Sequence, residues 1–282
     1  MRIAYLGPEG TYSHEALMAS GRADGAEPAP LATIHDTIVA VHAGEAELAL
    51  VPIENSLEGA VNATLDTLIG EADDVTIVGE ARHDVHHCLI ASAELELEAI
   101  ETVVSIPQAS AQCSRFLREQ LPGAAVVAAN STAEAVRRVA EEGGPRAALG
   151  NRLSARLYGG EVLRDGVEDT AGNETRFVWL ARRGTEAPAA EAGSDGAFKT
   201  SVVFWGAGDD TPGWLVRCLS EFAFRGVNLT MIESRPRKLG LGHYVFFADL
   251  EGSEREAAVA AAIEAVRGQT EQLRVLGSYR AA

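Results

Sequence analysis

Thr175 and Arg176, just ahead of the apolar run Phe177-Val178-Trp179-Leu180, set a proton-bearing hydroxyl beside a planar cation. A hydroxyl can donate to a departing oxygen, and a guanidinium can hold a carboxylate through two parallel hydrogen bonds. If the apolar run is a buried strand, both groups sit at its mouth, where a rigid element can aim them. A polar strand edge leading into core would give the same Asn173-Glu174-Thr175-Arg176-Phe177, so the reading of this stretch as a reaction centre turns on the rest of the chain.

Three other stretches carry suitable groups. Gly7-Pro8-Glu9-Gly10-Thr11-Tyr12-Ser13 combines glycines and hydroxyls with the free N–H groups of a helix start, suited to a carboxylate or phosphate. Glu54-Asn55-Ser56 follows a short apolar run, and Ser105 precedes Gln108 and Gln112, whose spacing puts both amides on one helix face. Each has an ordinary structural use as a capped turn or a solvated face. His83, His86 and His87 lack the geometry of a metal triad, and adjacent histidines on a strand point to opposite faces, so structural or surface roles are expected. Cys88, Cys113 and Cys218 are odd in number, lack ligand spacing and sit among apolar residues, as reduced core thiols would. No metal site, nucleotide fingerprint or nucleophile elbow is evident. The chemistry left is cofactor-free, carried by neutral donors and arginine.

Short apolar strands alternate with helical patterns from Ile3 to Leu180, which predicts an α/β fold with mostly parallel sheets covered by helices. In such sheets ligand loops gather at the carboxyl ends of strands, where the 7–13, 54–56 and 105–112 stretches fall. Residues 183–197 contain no large apolar side chain apart from the flanks and read as a linker. From 198 to 282 the order of expected elements is βαββαβ, the ferredoxin-like unit. The formal net charge of −17 disfavours nucleic-acid and anionic-membrane partners, so any anionic ligand needs local cations. No window approaches the roughly 18 apolar residues of a membrane span, and a cytoplasmic protein is expected.

In sequence and order, Gly7 to Ser13, Val51-Pro52-Ile53-Glu54-Asn55-Ser56, Pro107-Gln108 with Gln112-Cys113, and Thr175-Arg176-Phe177 resemble the prephenate dehydratase family. The segment Asn228-Leu229-Thr230-Met231-Ile232-Glu233-Ser234-Arg235-Pro236 resembles the signature of its regulatory ACT domain. The resemblance implies decarboxylation and dehydration of prephenate to phenylpyruvate without a cofactor. It implies a catalytic domain over residues 1–182, built like type 2 periplasmic binding proteins from one lobe of 1–80 with 160–182 and another of 81–159. On the same ground Thr175, helped by Asn55, Ser105 and Gln112, acts on the leaving hydroxyl, while Arg176, Thr11, Ser13, Ser56 and Phe177 contact the substrate. Phenylalanine or another aromatic amino acid would bind through Gly213, Trp214, Leu215, Asn228, Leu229, Glu233, Ser234 and Arg235, in a homodimer or homotetramer. Two departures stand out. Gly213-Trp214-Leu215-Val216 replaces the family's Gly-Ala-Leu-Val, which bears on the effector pocket, and Ser105-Ile106-Pro107-Gln108 replaces a Ser-His-Pro-Gln run. Arogenate dehydratase, with Glu54 near a substrate ammonium, and a non-catalytic aromatic-ligand sensor are the alternatives.

Overall fold

The computed structural model describes residues 1–185, 197–206 and 211–282, so 186–196, most of the expected linker, lies outside the described residues. The first sheet has the order β2 (Glu27–Leu31), β1 (Arg2–Leu6), β3 (Leu48–Asn55), β11 (Glu174–Arg182), β5 (Val75–Asp84), with the short β4 (Gly59–Ala60) beside β3. Its first three strands are parallel, as the βα alternation demands, and β11 enters antiparallel between β3 and β5. The second sheet runs β10 (Glu161–Arg164), β6 (Cys88–Ala91), β9 (Arg146–Gly150), β7 (Thr102–Ser105), β8 (Ala125–Ala128). Residues 160–164, expected with the first lobe, belong instead to the second, because β10 pairs antiparallel with β6. The chain therefore crosses between sheets at 85–87 and again at 165–173.

Helix starts follow sequence logic. Thr11, Thr33, Ser131 and Asn151 each accept a backbone N–H with the side chain and so open α1 (Tyr12–Ala19), α2 (Ile34–His42), α6 (Thr132–Glu142) and α7 (Arg152–Tyr158). On one face of the first sheet, Ile3, Tyr5, Leu50, Phe177 and Trp179 pack with Ala16 and Leu17 of α1. On the other, Val51, Ile53, Val178 and Leu180 join Ile38 and Val41 of α2 and Leu65 and Leu68 of α3 (Asn62–Gly70).

The C-terminal unit is an antiparallel sheet of order β13 (Leu229–Pro236), β14 (Tyr244–Glu251), β12 (Phe198–Trp205), β15 (Gln272–Arg280). α8 (Trp214–Ala223) and α9 (Ala257–Arg267) cover one face around Val202, Phe204 and Phe222. Alternate residues Val203, Val245, Phe247, Leu276 and Tyr279 face the other way and continue the first sheet's core. The join is close. Thr76 Oγ1 donates to Leu276 O at 2.7 Å, and a Cβ on Gly277 would stand 2.1 Å from Ile77 O. Glycine is required there by backbone proximity rather than by its dihedral freedom. Gly277→Ala should therefore destabilise the protein by about 1–3 kcal/mol, the usual cost of overpacking, and lower the melting temperature in a thermal unfolding experiment.

Candidate active site

Thr175 is the second residue of β11, just after the chain returns from the second lobe, opposite Asn55 on β3 and His83 on β5. Asn55 Oδ1 accepts the N–H groups of Leu57 and Glu58, both at 3.0 Å, which fixes the amide's orientation and turns Nδ2 toward β11. That Nδ2 donates to Thr175 Oγ1 at 3.0 Å and to Asn173 Oδ1 at 2.7 Å. Thr175 Oγ1 is therefore an acceptor toward the protein, and its own proton stays available for a ligand. Asn173 Nδ2 donates in turn to Gln112 Oε1 at 3.1 Å, and Gln112 Nε2 donates to Glu58 Oε1 at 3.1 Å. Gln112 comes from α4 (Pro107–Gln112) of the second lobe, so this last contact latches one lobe to the other.

The same Gln112 Oε1 lies 2.9 Å from His87 Nε2, and His87 Nδ1 is 2.7 Å from Tyr12 Oη. An amide oxygen only accepts, so Nε2 carries the imidazole proton and Nδ1 takes the tyrosine O–H. Burial lowers the His87 pKa, outweighing the hydrogen bond to Gln112, and keeps the ring neutral. Tyr12 and Glu58 have no individual role in the sequence reading, Asn173 belongs to the stretch that carries Thr175, and His87 is expected there to be structural or at the surface. For His87 the available signal was its alternation with His86, which points outward to Glu168 Oε1 at 2.9 Å.

Of the residues singled out from sequence, Asn55, Gln112 and Thr175 come together. Arg176 and Phe177 do not join them as expected. Phe177 is core against Ile3, Tyr5 and Leu17. Arg176, at 7% exposure, points through the opposite face of β11, because neighbouring strand residues alternate. Its Nε donates to Glu54 Oε2 at 3.0 Å and its Nη1 to Glu80 Oε2 at 3.2 Å, while Nη2 lies 2.6 Å from Asp249 Oδ2 on β14. Lys199 Nζ donates to Glu80 Oε2 at 2.8 Å. Burial would discharge Arg176, but Asp249, Glu80 and Glu54 among its neighbours outweigh it and raise its pKa. Burial would likewise raise Glu80, but Lys199 above all holds its carboxylate below the usual range.

Ser105 Oγ donates to the Ile106 carbonyl and stays outside the network. Thr11 spends its hydroxyl on the α1 cap and on Leu6 O, so it supplies no free donor for an anion, and Ser13 is buried in α1. Ser56 Oγ accepts Glu174 N–H at 2.9 Å and braces the strand that carries Thr175.

A cavity of about 460 Å³ is lined by Arg82, His83, Asp84, His86, Asn151, Arg152 and Glu174 among others; it reaches the strand neighbours of Thr175, Glu174 and His83, and Thr175 is not one of its lining residues. Arg82 and Arg152 bring cations to it, each near a carboxylate of its own, Glu174 at 3.7 Å and Asp165 at 2.5 Å. Among the described residues one grouping has metal-ligand proximity, His42, Asp73 and Asp74, and its Asp74 already binds His42 and Arg182. Cys88 and Cys113 are buried thiols whose pKa values burial pushes up to about 12, which leaves them inert as nucleophiles.

In the C-terminal unit, Gly213 takes φ 79° before α8 and, with Trp214, Leu215, Val216 and Phe246, borders a cavity of about 230 Å³. The Trp214 indole turns into the domain core, its Nε1 donating to Gln269 O at 2.7 Å, and packs against Phe204 and Phe246. Leu229, Glu233 and Ser234 lie along β13 and Asn228 just before it, and none of them lines this cavity. Arg235 is committed elsewhere, in a two-pronged pair with Asp66 of the first domain at 2.9 and 3.0 Å.

The prephenate dehydratase family model matches residues 3–185. The chain belongs to the prephenate dehydratase family. A prephenate dehydratase from Mycobacteroides abscessus is 41% identical over 286 residues, 99% of this chain and 89% of that protein. The crystal structure of an Arthrobacter aurescens prephenate dehydratase in complex with L-Phe is similar with a TM-score of 0.87 at 37% identity, over 99% of this chain and 90% of that one. A structure described as GqqA, a novel type of quorum quenching acylase, is similar with a TM-score of 0.84 at 34% identity, over 100% of this chain and 98% of that one. Relatives at about this identity along nearly the full chain make this an enzyme of the prephenate dehydratase family. No helix among the described residues is long and apolar enough to cross a membrane.

The site carries a pH signature. His87 binds a proton less readily when folded, so below its ordinary value of about 6.5 the unfolded chain gains protons that the folded one does not, and stability falls as pH falls. His86 works in the opposite sense, its pKa raised by Glu168, and its contribution fades as pH rises through that raised value. In denaturant titrations between pH 7 and 5, His87→Gln should flatten the acid-side loss of stability, and His86→Gln should steepen it.

Proposed function

We propose that the protein converts prephenate to phenylpyruvate, carbon dioxide and water, with Thr175 as the group that assists departure of the ring hydroxyl. The observation that carries this is the direction of the hydrogen bond at Thr175: Asn55 donates to its oxygen and leaves its proton pointing outward. As the ring carboxylate leaves as carbon dioxide, its bonding electrons aromatise the ring and expel the hydroxyl, which takes a proton and departs as water. Negative charge building on Thr175 Oγ1 is met by the Asn55 N–H, a preorganised donor of the oxyanion-hole kind. With Arg176 spent in its own cluster, Arg82 and Arg152 are the cations in the adjoining cavity for the substrate's carboxylates.

The alternative chemistries are weaker. An acylase such as the 34% identical relative needs an activated nucleophile, and the neighbour of Thr175 is an amide, which cannot take its proton. Arogenate would call on Glu54, but that carboxylate is paired with Arg176.

The C-terminal unit is proposed to be an ACT domain of ferredoxin-like topology, and the catalytic part a two-lobed arrangement of the type 2 binding-protein kind. Support comes from the βαββαβ order and from the two sheets joined by two crossings. We propose phenylalanine as effector, taken up beside Gly213 to Leu215, as the bound L-Phe of the Arthrobacter relative encourages. Ile232 on the edge strand β13, Val216 on α8 and Phe224 just after α8 are 47%, 66% and 83% exposed, which favours pairing of C-terminal units in a homo-oligomer.

The deciding experiment supplies purified protein with prephenate and no cofactor and follows phenylpyruvate. Thr175→Ala should lower kcat on the order of 10²-fold with a smaller change in KM, as loss of a general acid would. Asn55→Asp should lower kcat comparably, because an added carboxylate would draw the threonine proton away from substrate. Full turnover in Thr175→Ala would remove Thr175 from the mechanism, and absence of wild-type turnover on prephenate would remove the activity itself. Phenylalanine should inhibit, and Gly213→Ala, which places a side chain at φ 79°, should raise the phenylalanine concentration for half inhibition several-fold.

A further inference from the structure

We propose that Arg176 is a positioning residue, clamped by Asp249 of the C-terminal unit, through which that unit sets the alignment of Thr175. The inference rests on the reading of Thr175 as the hydroxyl that assists the leaving group.

Arg176 is bonded directly to Thr175 in the backbone of β11. One residue faces the lobe junction and the other faces the C-terminal sheet. The guanidinium is held at three corners: Glu54 from β3, Glu80 from β5, and Asp249 with Met231 from β14 and β13. Glu54 is itself the neighbour of Asn55, the residue that orients Thr175. The clamp therefore grips both strands that meet at the reacting hydroxyl.

The C-terminal contribution is charged and enclosed. Asp249 is 1% exposed, and its Oδ1 accepts from Ser201 Oγ at 2.5 Å, with Tyr279 Oη 2.8 Å behind that serine. Its Oδ2 meets Arg176 at 2.6 Å without the alignment of a hydrogen bond and has no other partner among the described residues. It is held to the catalytic domain by charge. Lys199 reaches from β12 to Glu80, so a second strand of the same unit completes the cluster. A shift of the C-terminal sheet by a fraction of an ångström would leave carboxylates of the first sheet competing for one guanidinium. Arg176 would then turn, and the backbone at Thr175 with it. This gives the fused unit a direct mechanical line to the chemistry through a contact within one chain, independent of any pairing between chains.

The test is a double-mutant cycle on prephenate turnover. Asp249→Asn keeps the acceptor for Ser201 but sets an N–H₂ against the guanidinium, and should lower kcat about tenfold with KM changed less than about threefold. In a Thr175→Ala background the same substitution should cost less than about twofold, since the group it misaligns is gone. Asp249→Glu, which restores the charge, should recover part of the loss. Met231→Leu, close in volume, removes the contact to Nη2 and serves where Asp249→Asn does not fold; it should lower kcat by about threefold with the same silence in the Thr175→Ala background. Unchanged kcat in folded Asp249→Asn or Met231→Leu would overturn the clamp. So would a loss that multiplies with that of Thr175→Ala, or one confined to KM. Failure of the underlying reading looks different: Thr175→Ala alone would keep full turnover.

Discussion

The pleat of one strand governs this molecule. Successive residues of β11 face opposite sides of the first sheet, so Thr175 and Arg176, adjacent in the chain, serve two different environments. The side of Thr175 looks toward α1 and the lobe junction; the side of Arg176 looks toward the C-terminal sheet. Because β11 lies between β3 and β5 and pairs with both, neither residue can move without disturbing the sheet's middle. Polar chemistry on one face and a buried charge cluster on the other are thus two outcomes of a single backbone geometry.

On the polar face, specificity of orientation comes from groups with only one possible role. Backbone N–H groups fix the oxygen of Asn55, which fixes its nitrogen, which makes Thr175 an acceptor toward the protein. The same logic runs from Gln112 to His87 and Tyr12. A neutral imidazole, kept so by burial, holds the far end of the chain without adding charge beside an anionic ligand. Breaking a buried ion pair by removing one partner costs about 3–5 kcal/mol, so the opposite face is costly to disturb as well.

Much of the architecture was legible in sequence because its signals are local. Strand and helix alternation, the capping threonines and Asn151, and the βαββαβ order are each written within a few residues. Thr175, Asn55 and Gln112 share one hydrogen-bonded network, and motif order could point to them because it reports where elements end. Arg176 and Phe177 were misread as ligand groups since a motif does not declare which face of a strand each of its residues takes, and the bulge of β3 against β11 at Arg176/Phe177 lies in pairing, not in sequence. Thr11 looks like an anion-site group for a related reason: the helix cap that draws attention to its hydroxyl also consumes it. Tyr12, Asn173 and His87 depend on two crossings that bring distant segments together, and no short window records that. Trp214 borders the cavity beside Gly213, and the sequence does not record that its indole nitrogen also donates to a carbonyl in the core. Residues 160–164 were assigned to the wrong lobe because an antiparallel return strand resembles a continuation of whichever sheet comes next.

The contact of Gly277 with the Ile77 carbonyl bears on modularity. Small units of this topology invite the picture of a cassette that can be exchanged by recombination at a flexible joint. Here the joint is backbone against backbone, with no side chain between to absorb a mismatch. A donor unit grafted onto this catalytic domain would need a glycine at the equivalent point of its last strand and an acidic residue opposite the sheet's arginine. Compatibility is therefore written in two residues far from any junction, and the two parts of the chain are constrained to diverge as a pair.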